Sequence, residues 1–266
     1  MSACAVADTD PTREYAAMVA DEHIAQWKQQ ADVPFEGWDF SYLAGRFIEA
    51  EPPWDYFALA KAASERSFDI LDVATGGGEV FAALAPFPGR ATAVEGFKPN
   101  LPVAQRRLAP LGVPVFQGNT RSGMPFDDGS FDLVLNRHGG FRPGEMHRIL
   151  KRDGVFLTQQ VGGDNLADLI AAFGAELAYP DNTLSRLCGE LVALGCEIRR
   201  AEEWRGPVTF SDVGAVVYFL KAVPWVVRGF EVERDLPALQ ALQTRLDDNE
   251  PLQFTYTRFL IDAVKV

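Results

Sequence analysis

Cysteine is scarce in this sequence. Three cysteines, Cys4, Cys188 and Cys196, occur among 266 residues, and none lies in a C-x-x-C pair or at metal-ligand spacing from a histidine. An odd and scattered set argues against a disulfide framework and against a zinc site. We therefore predict unpaired thiols and no bound metal.

Positive charge is also scarce. The chain has 25 Lys and Arg against 37 Asp and Glu, a formal net charge of −12. Such a surface repels phosphate backbones and anionic lipid, which argues against nucleic-acid binding and peripheral membrane attachment. We expect a small molecule as the partner, and the charge does not indicate an oligomeric state.

Long apolar runs are missing as well. Residues 214–220 and 224–227 are among the longest, and both are far shorter than the ~20 residues that a membrane-spanning helix needs. The first eleven residues contain two aspartates and no Lys or Arg, unlike a signal peptide. These features predict a cytoplasmic protein without a membrane helix.

Apolar strands and amphipathic helices alternate along most of the chain. Strands are predicted near 68–73, 90–95, 113–117, 131–136, 154–160, 197–204 and 252–266. Helices are predicted near 12–30, 54–64, 78–85, 99–109, 143–150, 165–173 and 182–194. This alternation favours right-handed βαβ units, and hence an α/β fold with a parallel sheet between layers of helices.

The alternation of strands and helices is interrupted after the sixth predicted strand. Two helices, near 211–223 and 235–247, come before the last strand, so that roughly 45 residues are inserted there. An insertion of this length in an α/β unit is usually functional.

A glycine cluster follows the first strand of the predicted sheet. Residues 71–79 read LDVATGGGE, and such a strand-to-helix turn lets the backbone approach a ligand closely. A dinucleotide fingerprint would need a small residue where Phe81 stands, and no G-K-[ST] of a nucleotide-triphosphate loop follows. A nicotinamide dinucleotide is therefore a poorer alternative.

Two carboxylates accompany this loop. Asp72 opens it, and Glu95 ends the next strand, where a carboxylate can accept both hydroxyls of a ribose. The loop contains no basic residue that could meet a pyrophosphate. The predicted ligand is a nucleoside with a positive or zwitterionic tail.

Four segments, in this order, resemble the class I S-adenosylmethionine-dependent methyltransferases, particularly the type 11 methyltransferase domain group. They are residues 72–79, Glu95, residues 123–135 and residues 145–154, so that the resemblance spans about 66–161. It implies S-adenosyl-L-methionine as the cofactor. It also implies that Asp72 and the glycines from Gly76 to Gly78 line the methionine and ribose, while Glu95 binds the ribose hydroxyls.

The sequence departs from this family at two places. Ala74 stands where the family usually has its first glycine, and the acid expected at the adenine is replaced by Asn119 or Thr120, both of which remain candidates. The full cofactor-binding set that we predict consists of Asp72, Ala74, Gly76, Gly78, Glu95, Gly96, Asn119, Thr120 and Asn136.

Polar residues at the ends of the fourth and fifth core strands indicate the methyl-transfer site. His138 is the candidate general base, with the alternative that it only shapes the pocket through a hydrogen bond, and Arg137 is a candidate partner for a substrate carboxylate or phosphate. The predicted substrate-binding residues are Gln159 and four aromatic residues that could also be core, Trp54, Tyr56, Tyr218 and Trp225.

Taken together, these features predict a single Rossmann-like, doubly wound domain. Its seven-stranded sheet is expected to be mostly parallel with an antiparallel last strand. The predicted parts are a helical cap (11–64), the sheet core (66–207 and 251–266) and a helical lid (208–250). The predicted function is methylation of a small molecule at O, N or C. The alternatives are methylation of RNA or protein, and S-adenosylmethionine binding without catalysis.

Overall fold

The computed structural model describes residues 11–36, 38–120 and 123–266, with side chains from Asp21 onward. Cys4 lies outside the described residues. Cys196 is buried and Cys188 is half-buried, and both are unpaired.

One mixed sheet organises the described residues, and its strand order is β1-β7-β8-β6-β5-β2-β3-β4. In chain order the strands are β1 (Phe47–Glu49), β2 (Asp69–Val73), β3 (Arg90–Glu95), β4 (Val115–Gln117), β5 (Phe131–Arg137), β6 (Leu150–Val161), β7 (Cys196–Phe210) and β8 (Leu252–Lys265). Strands β2 to β6 are mutually parallel, and β8 lies antiparallel between β6 and β7. The predicted Rossmann-like sheet with an antiparallel last strand is confirmed.

Helices cover both faces of this sheet. In chain order they are α1 (Pro11–Ala31), α2 (Tyr56–Ser64), α3 (Glu79–Ala83), α4 (Asn100–Leu108), α5 (Pro143–Ile149), α6 (Ala167–Ala172), α7 (Leu184–Ala193), α8 (Val213–Ala222) and α9 (Leu236–Asp247). Apolar side chains of α2, α3 and α4 form the core on one face, and those of α5 and α7 form it on the other. Because both faces are covered, all five residues of β2 are buried, including Asp69 and Asp72.

The prediction of seven strands is wrong by one. The eighth strand, β1, pairs antiparallel with the end of β7 through Phe47, Ile48 and Glu49. Three residues are too few to show a sequence period, and this pairing partner lies about 160 residues away along the chain. In addition, β7 continues to Phe210, three residues into the segment that was assigned to the helical insertion.

The helical insertion lies where the site is expected. Both predicted helices are present, as α8 and α9, and they connect the carboxyl end of β7 to the amino end of β8. Strands β2, β5 and β6 end at the same edge of the sheet. Every residue of α8 except Lys221 is buried, because the helix packs between α1 and the long β7–β8 pair.

Within the described ranges, no helix has both the length and the apolar content to cross a membrane. In the same residues, no three His, Cys, Asp or Glu side chains are grouped so that they could hold a metal ion.

A salt bridge joins the edge strand to the insertion. Arg46 donates from Nε and Nη2 to the carboxylate of Asp212, at 2.9 and 2.6 Å, and Asp212 also accepts the N–H of Ala215 as the N-cap of α8. Asp212 thus anchors the start of α8 against the residue that precedes β1.

We expect Asp212→Ala to lower the free energy of unfolding by about 1–3 kcal/mol, because it removes both the cap and the ion pair. Asp212→Asn keeps the capping oxygen, so its loss should be smaller. Urea denaturation followed by circular dichroism measures both. Glu231→Ala, which breaks an exposed pair with Lys221, is the control, and equal losses for the two Asp212 variants would contradict the expectation.

Candidate functional site

The glycine loop connects β2 to α3 through left-handed backbone conformations. Ala74, Gly76 and Gly78 have φ angles of +59°, +64° and +80°. Glycine adopts this region without strain, whereas alanine does not, so Ala74 carries a steric cost that a glycine at this position would avoid. The turn predicted from the three glycines is therefore present, with alanine at its strained first position.

A close approach explains how Ala74 is accommodated. A Cβ on Gly139, in the loop after β5, would overlap the methyl group of Ala74 and lie 2.9 Å from the side-chain nitrogen of Asn136. Because Gly139 has no side chain, the loops after β2 and β5 can pack directly against each other.

Two buried acids lie beneath this loop. Asp72 is 9% exposed and Glu95 is 5% exposed. The carboxylate of Glu95 accepts the N–H of Gly76 and that of Phe97, both at 2.6 Å, and so links the loop to the end of β3. The two acids therefore lie near the carboxyl ends of the adjacent strands β2 and β3.

The electrostatics of these acids favour a cation. Burial, with a smaller contribution from the negative charge of Glu95, raises the pKa of Asp72 to about 7. Burial also raises the pKa of Glu95, although the N–H groups of Phe97 and Gly76 act in the opposite direction. The hydroxyl of Thr75 lies near Asp72 without a hydrogen bond of ordinary geometry. A positively charged group here would relieve the cost of ionising Asp72.

The ends of β3 and β4 come close beside Glu95. A Cβ on Gly96 would lie 3.0 Å from the carbonyl oxygen of Gly118 and 3.2 Å from the Cβ of Asn119. Asn119 is exposed at this edge, and Thr120 is buried. Phe97, which the sequence analysis did not single out, is 62% exposed at the same place. The only feature of the sequence that could have pointed to Phe97 is its position two residues after Glu95.

Asn136 lies beneath the loops and is fully buried. Its Nδ2 donates to the carbonyl of Val73 at 2.8 Å, and its Oδ1 accepts from Thr158 and Gln160 at 3.0 and 2.6 Å. Its amide is thus engaged in holding three strand ends together. Its prediction as a cofactor-binding residue stays a prediction.

His138 follows β5 in a left-handed conformation, with φ of +59°. Its Nε2 lies 2.9 Å from Nε2 of Gln159, whose Oε1 accepts the indole N–H of Trp54 at 2.7 Å. An indole can only donate, so the Gln159 oxygen faces Trp54 and its NH₂ donates to His138. The imidazole therefore carries its proton on Nδ1, and Nε2 is already occupied.

Charge also keeps this imidazole neutral. Burial and the positive charges of Arg258 and Arg137 lower the pKa of His138 well below its usual value. Arg258, on β8, was not identified from the sequence.

The start of α2 holds two of the predicted aromatic residues in place. Asp55 caps this helix by accepting the N–H of Ala58, and Trp54 and Tyr56 on either side of it are buried. Burial and the negative charge of Asp72 raise the pKa of Tyr56, so its hydroxyl stays protonated. Both residues lie on the sheet face that carries Asp72, Arg137 and Gln159.

The other two predicted aromatic residues lie farther along the cap. Tyr218 is buried, with its ring centroid 4.6 Å from that of Tyr42. Trp225 is 39% exposed, and its ring centroid is 5.7 Å from that of Trp38. Trp38, which the sequence analysis missed, lies 3.6 Å from where a Cβ of Gly76 would be. Trp38 therefore connects the insertion to the glycine loop.

The basic residues near Arg137 in sequence separate in space. Arg148 pairs with Glu145 and Asp128, and Lys151 pairs with Asp69 and Asp132 at the opposite edge of the sheet. Arg137 is exposed at the carboxyl end of β5, where the candidate site lies.

Part of the chain is similar to known methyltransferases. A family model described as a methyltransferase domain matches residues 71–141, which include the glycine loop, Glu95 and His138. The chain is 31% identical over 97 residues to a protein of Bacillus subtilis described as the uncharacterized methyltransferase YcgJ, covering 33% of this chain and 38% of the relative.

A second relative is the ubiquinone/menaquinone biosynthesis C-methyltransferase UbiE of Citrifermentans bemidjiense, 34% identical over 116 residues. That alignment covers 38% of this chain and 48% of the relative, so less than half of either curated relative is matched. The crystal structure of YcgJ superposes with a TM-score of 0.58 at 20% identity, covering 79% of this chain and 97% of that one. This likeness shows a common fold.

The contact between Ala74 and Gly139 can be tested by a double-mutant cycle. We expect Gly139→Ala to destabilise the protein by about 1–3 kcal/mol, because its methyl would overlap that of Ala74. Ala74→Gly in the same chain should recover part of this loss. Thermal unfolding of the four proteins measures the coupling, and strictly additive effects would contradict the packing of these loops. Gly144→Ala is the control, since nothing lies within 4 Å of a Cβ there.

Asp72→Asn should stabilise the ligand-free protein in a pH-dependent manner. The folded-state pKa of about 7 exceeds the unfolded value near 3.8, so wild-type stability is lost as the pH rises between these values. The asparagine variant should not show this loss and should be more stable above pH 7 by up to about 4 kcal/mol. Urea denaturation at acid and alkaline pH measures the difference. A gain that does not depend on pH would contradict a buried, protonated Asp72.

Proposed function

We propose that this chain, which carries a class I S-adenosylmethionine-dependent methyltransferase domain, transfers a methyl group from S-adenosyl-L-methionine to a small-molecule acceptor. The observation that carries the proposal is the pair of buried carboxylates beneath the glycine loop. Asp72 and Glu95 form a floor of buried acids at the carboxyl ends of β2 and β3, and this floor becomes more negative when Asp72 ionises near pH 7. That floor suits a sulfonium or ammonium group and ribose hydroxyls, and it repels a pyrophosphate.

The residues around the loop fit the cofactor. Because Gly76 and Gly78 have no side chains, a ligand can approach the backbone of the loop closely. A side chain at Gly76 would point towards Trp38. Glu95 still has lone pairs for ribose hydroxyls, although each oxygen accepts one N–H from the chain. In this proposal Asp72 faces the methionine amino group. Gly96, Asn119 and the exposed ring of Phe97 border the adenine, and Thr120 supports that edge.

The bound cofactor would supply an electrophilic methyl group on a positively charged sulfur. The chain has to align the acceptor with that methyl group and exclude water, since methyl transfer is an in-line displacement. The carbon–sulfur bond breaks as the bond to the acceptor forms, and the bonding electrons remain on sulfur. Trp38 and Trp225 support a role of the insertion as an aromatic lid over this site.

The acceptor side of the site is formed by Arg137, His138, Gln159 and Trp54. Because Gln159 occupies Nε2 of His138, the geometry favours positioning and hydrogen bonding over proton abstraction for this imidazole. An acceptor that arrives deprotonated, such as a phenolate or an enolate, would need no general base before methyl transfer, and a proton released afterwards can pass to water. The name of one relative refers to C-methylation in quinone biosynthesis, which is compatible with such an acceptor.

The alternatives are less well supported. RNA methylation would require positive charge along a groove, whereas the chain carries a net charge of −12. Binding without catalysis would give no role to Arg137, which is exposed at the carboxyl end of β5 beside His138. A cytoplasmic location belongs to the proposal as well.

Calorimetry with S-adenosylmethionine and S-adenosylhomocysteine tests the cofactor site. We expect wild-type binding, and a loss of about tenfold or more in Glu95→Ala, because hydrogen bonds to a charged acceptor contribute about 1.5–3 kcal/mol. Affinity for S-adenosylmethionine should rise as the pH rises through about 7, where Asp72 ionises, and Asp72→Asn should remove this dependence. Glu190→Ala, on the exposed face of α7, is the control.

Absence of binding to the wild-type protein, or full binding by Glu95→Ala, would overturn the proposal. Incubation of cell extract with labelled S-adenosylmethionine then separates catalysis from binding alone. Label should enter a small molecule with the wild-type protein and not with Glu95→Ala.

A further inference from the structure

A buried arginine lies beside the proposed acceptor site and has no close acidic partner. Arg258, on β8, is 8% exposed. Its Nη1 donates to Oδ1 of Asn165 at 2.7 Å and to the carbonyl of Thr257 at 2.9 Å, and its guanidinium lies 4.0 Å from the centroid of the Tyr256 ring. All three partners are neutral. They orient the charge without compensating it.

Among the described residues, the carboxylate that faces Arg258 belongs to Glu49 on the edge strand β1. Its Oε2 lies 4.0 Å from Nη2 of Arg258, and the Glu49 side chain is about half exposed. A pair of this length, with one member in solvent, contributes little to offset the cost of burying a guanidinium. Burial lowers the pKa of Arg258 from its usual value, as expected for a charge without adequate compensation.

The sheet register places Arg258 on the same face as the acceptor-side residues. Gln159 of β6 is paired with Arg137 of β5 and with Leu260 of β8, and Arg258 is two residues before Leu260. Side chains two residues apart on a strand share a face, so Arg137, Gln159 and Arg258 lie on one surface. His138 lies among them, since its ring contacts Gln159 and its pKa is lowered by both arginines.

We propose that Arg258 and Arg137 form an oxyanion subsite that binds a carboxylate or phosphate group of the methyl acceptor. The inference rests on the proposed function for the acceptor, and it narrows that acceptor to an anionic small molecule. Arg258 is the oriented, buried member of the subsite, and Arg137 is its exposed member at the carboxyl end of β5. His138 is neutral between them, so it adds a hydrogen-bond donor without adding a third positive charge.

An oxyanion bound at this subsite would explain why two positive charges, those of Arg137 and Arg258, lie near each other. The charge of the buried Arg258 is disfavoured by burial and by the positive charge of Arg137, and an oxyanion between the two arginines would offset that repulsion. Arginine suits the purpose, because its planar fork can donate two parallel hydrogen bonds to a carboxylate or phosphate. The acidic groups Asp72 and Glu95 remain at the cofactor side, on β2 and β3.

Calorimetric titration with sodium benzoate, and separately with inorganic phosphate, tests the subsite. The proteins are the wild type, Arg258→Gln, Arg258→Lys, Arg137→Gln and the control Arg186→Gln, whose arginine is exposed on α7 and paired with Glu190. Each preparation is checked by thermal unfolding. Binding of S-adenosylhomocysteine to the wild-type protein is measured alongside, because it reports on the proposed function independently of either anion.

We expect the wild-type protein and Arg186→Gln to bind one of the probes, and the choice between benzoate and phosphate identifies the source of the oxyanion. Arg258→Gln and Arg137→Gln should each weaken binding by about tenfold, and Arg258→Lys should retain more affinity than Arg258→Gln. If Arg258→Gln does not fold, the titration of Arg137→Gln tests the subsite alone, because Arg137 is exposed and its replacement should leave the fold intact.

Two results would overturn the subsite. One is that the wild-type protein binds S-adenosylhomocysteine but neither anion. The other is that a probe binds equally well to the wild type and to Arg137→Gln or a folded Arg258→Gln. If S-adenosylhomocysteine itself does not bind, the proposed function fails, and the anion titrations still report on the two arginines.

Discussion

The geometry of the candidate site depends on the hydrogen bonds that the side-chain amide of Asn136 makes. It joins the carboxyl ends of β2, β5 and β6 through Val73, Thr158 and Gln160, and it is fully buried. Breaking one of these bonds would leave a polar group unsatisfied away from water, at a cost of about 1–3 kcal/mol. The loops that follow β2 and β5 are therefore held as one unit, and this unit brings the glycine loop to His138.

Charge is divided across that unit. Asp72 and Glu95 lie at the ends of β2 and β3, whereas Arg137 and Arg258 lie on β5 and β8. Burial weakens the screening around Asp72, Glu95 and Arg258, so each side of the site prefers a ligand group of opposite sign. A cationic methyl donor on one side and an anionic acceptor on the other would together neutralise the site. The net charge of −12 does not reveal this division, because it sums over the whole surface.

Local patterns predicted most of the sheet, the glycine turn and the positions of the two acids beside it. The apolar residues of β2, the glycines after it and the acid that ends β3 are close in sequence, and their arrangement follows from one strand-to-helix turn. The acceptor side was harder to predict. Arg148 and Lys151 resemble Arg137 in sequence but pair with acids elsewhere, while Arg258 comes more than a hundred residues later and lies on the same face as Arg137. The edge strand β1 was missed because three residues show no period.

The sequence by itself determined the fold class, the glycine turn and the two carboxylates beside it, since these features arise from periodicity and from residues within one βαβ unit. The tertiary structure decided which polar groups meet. It placed Gln159 between Trp54 and His138, so that the histidine is neutral with its Nε2 occupied. It also placed Trp38 on the loop and Arg258 near His138. Such contacts depend on strand register and on packing between distant segments, which local sequence patterns do not encode.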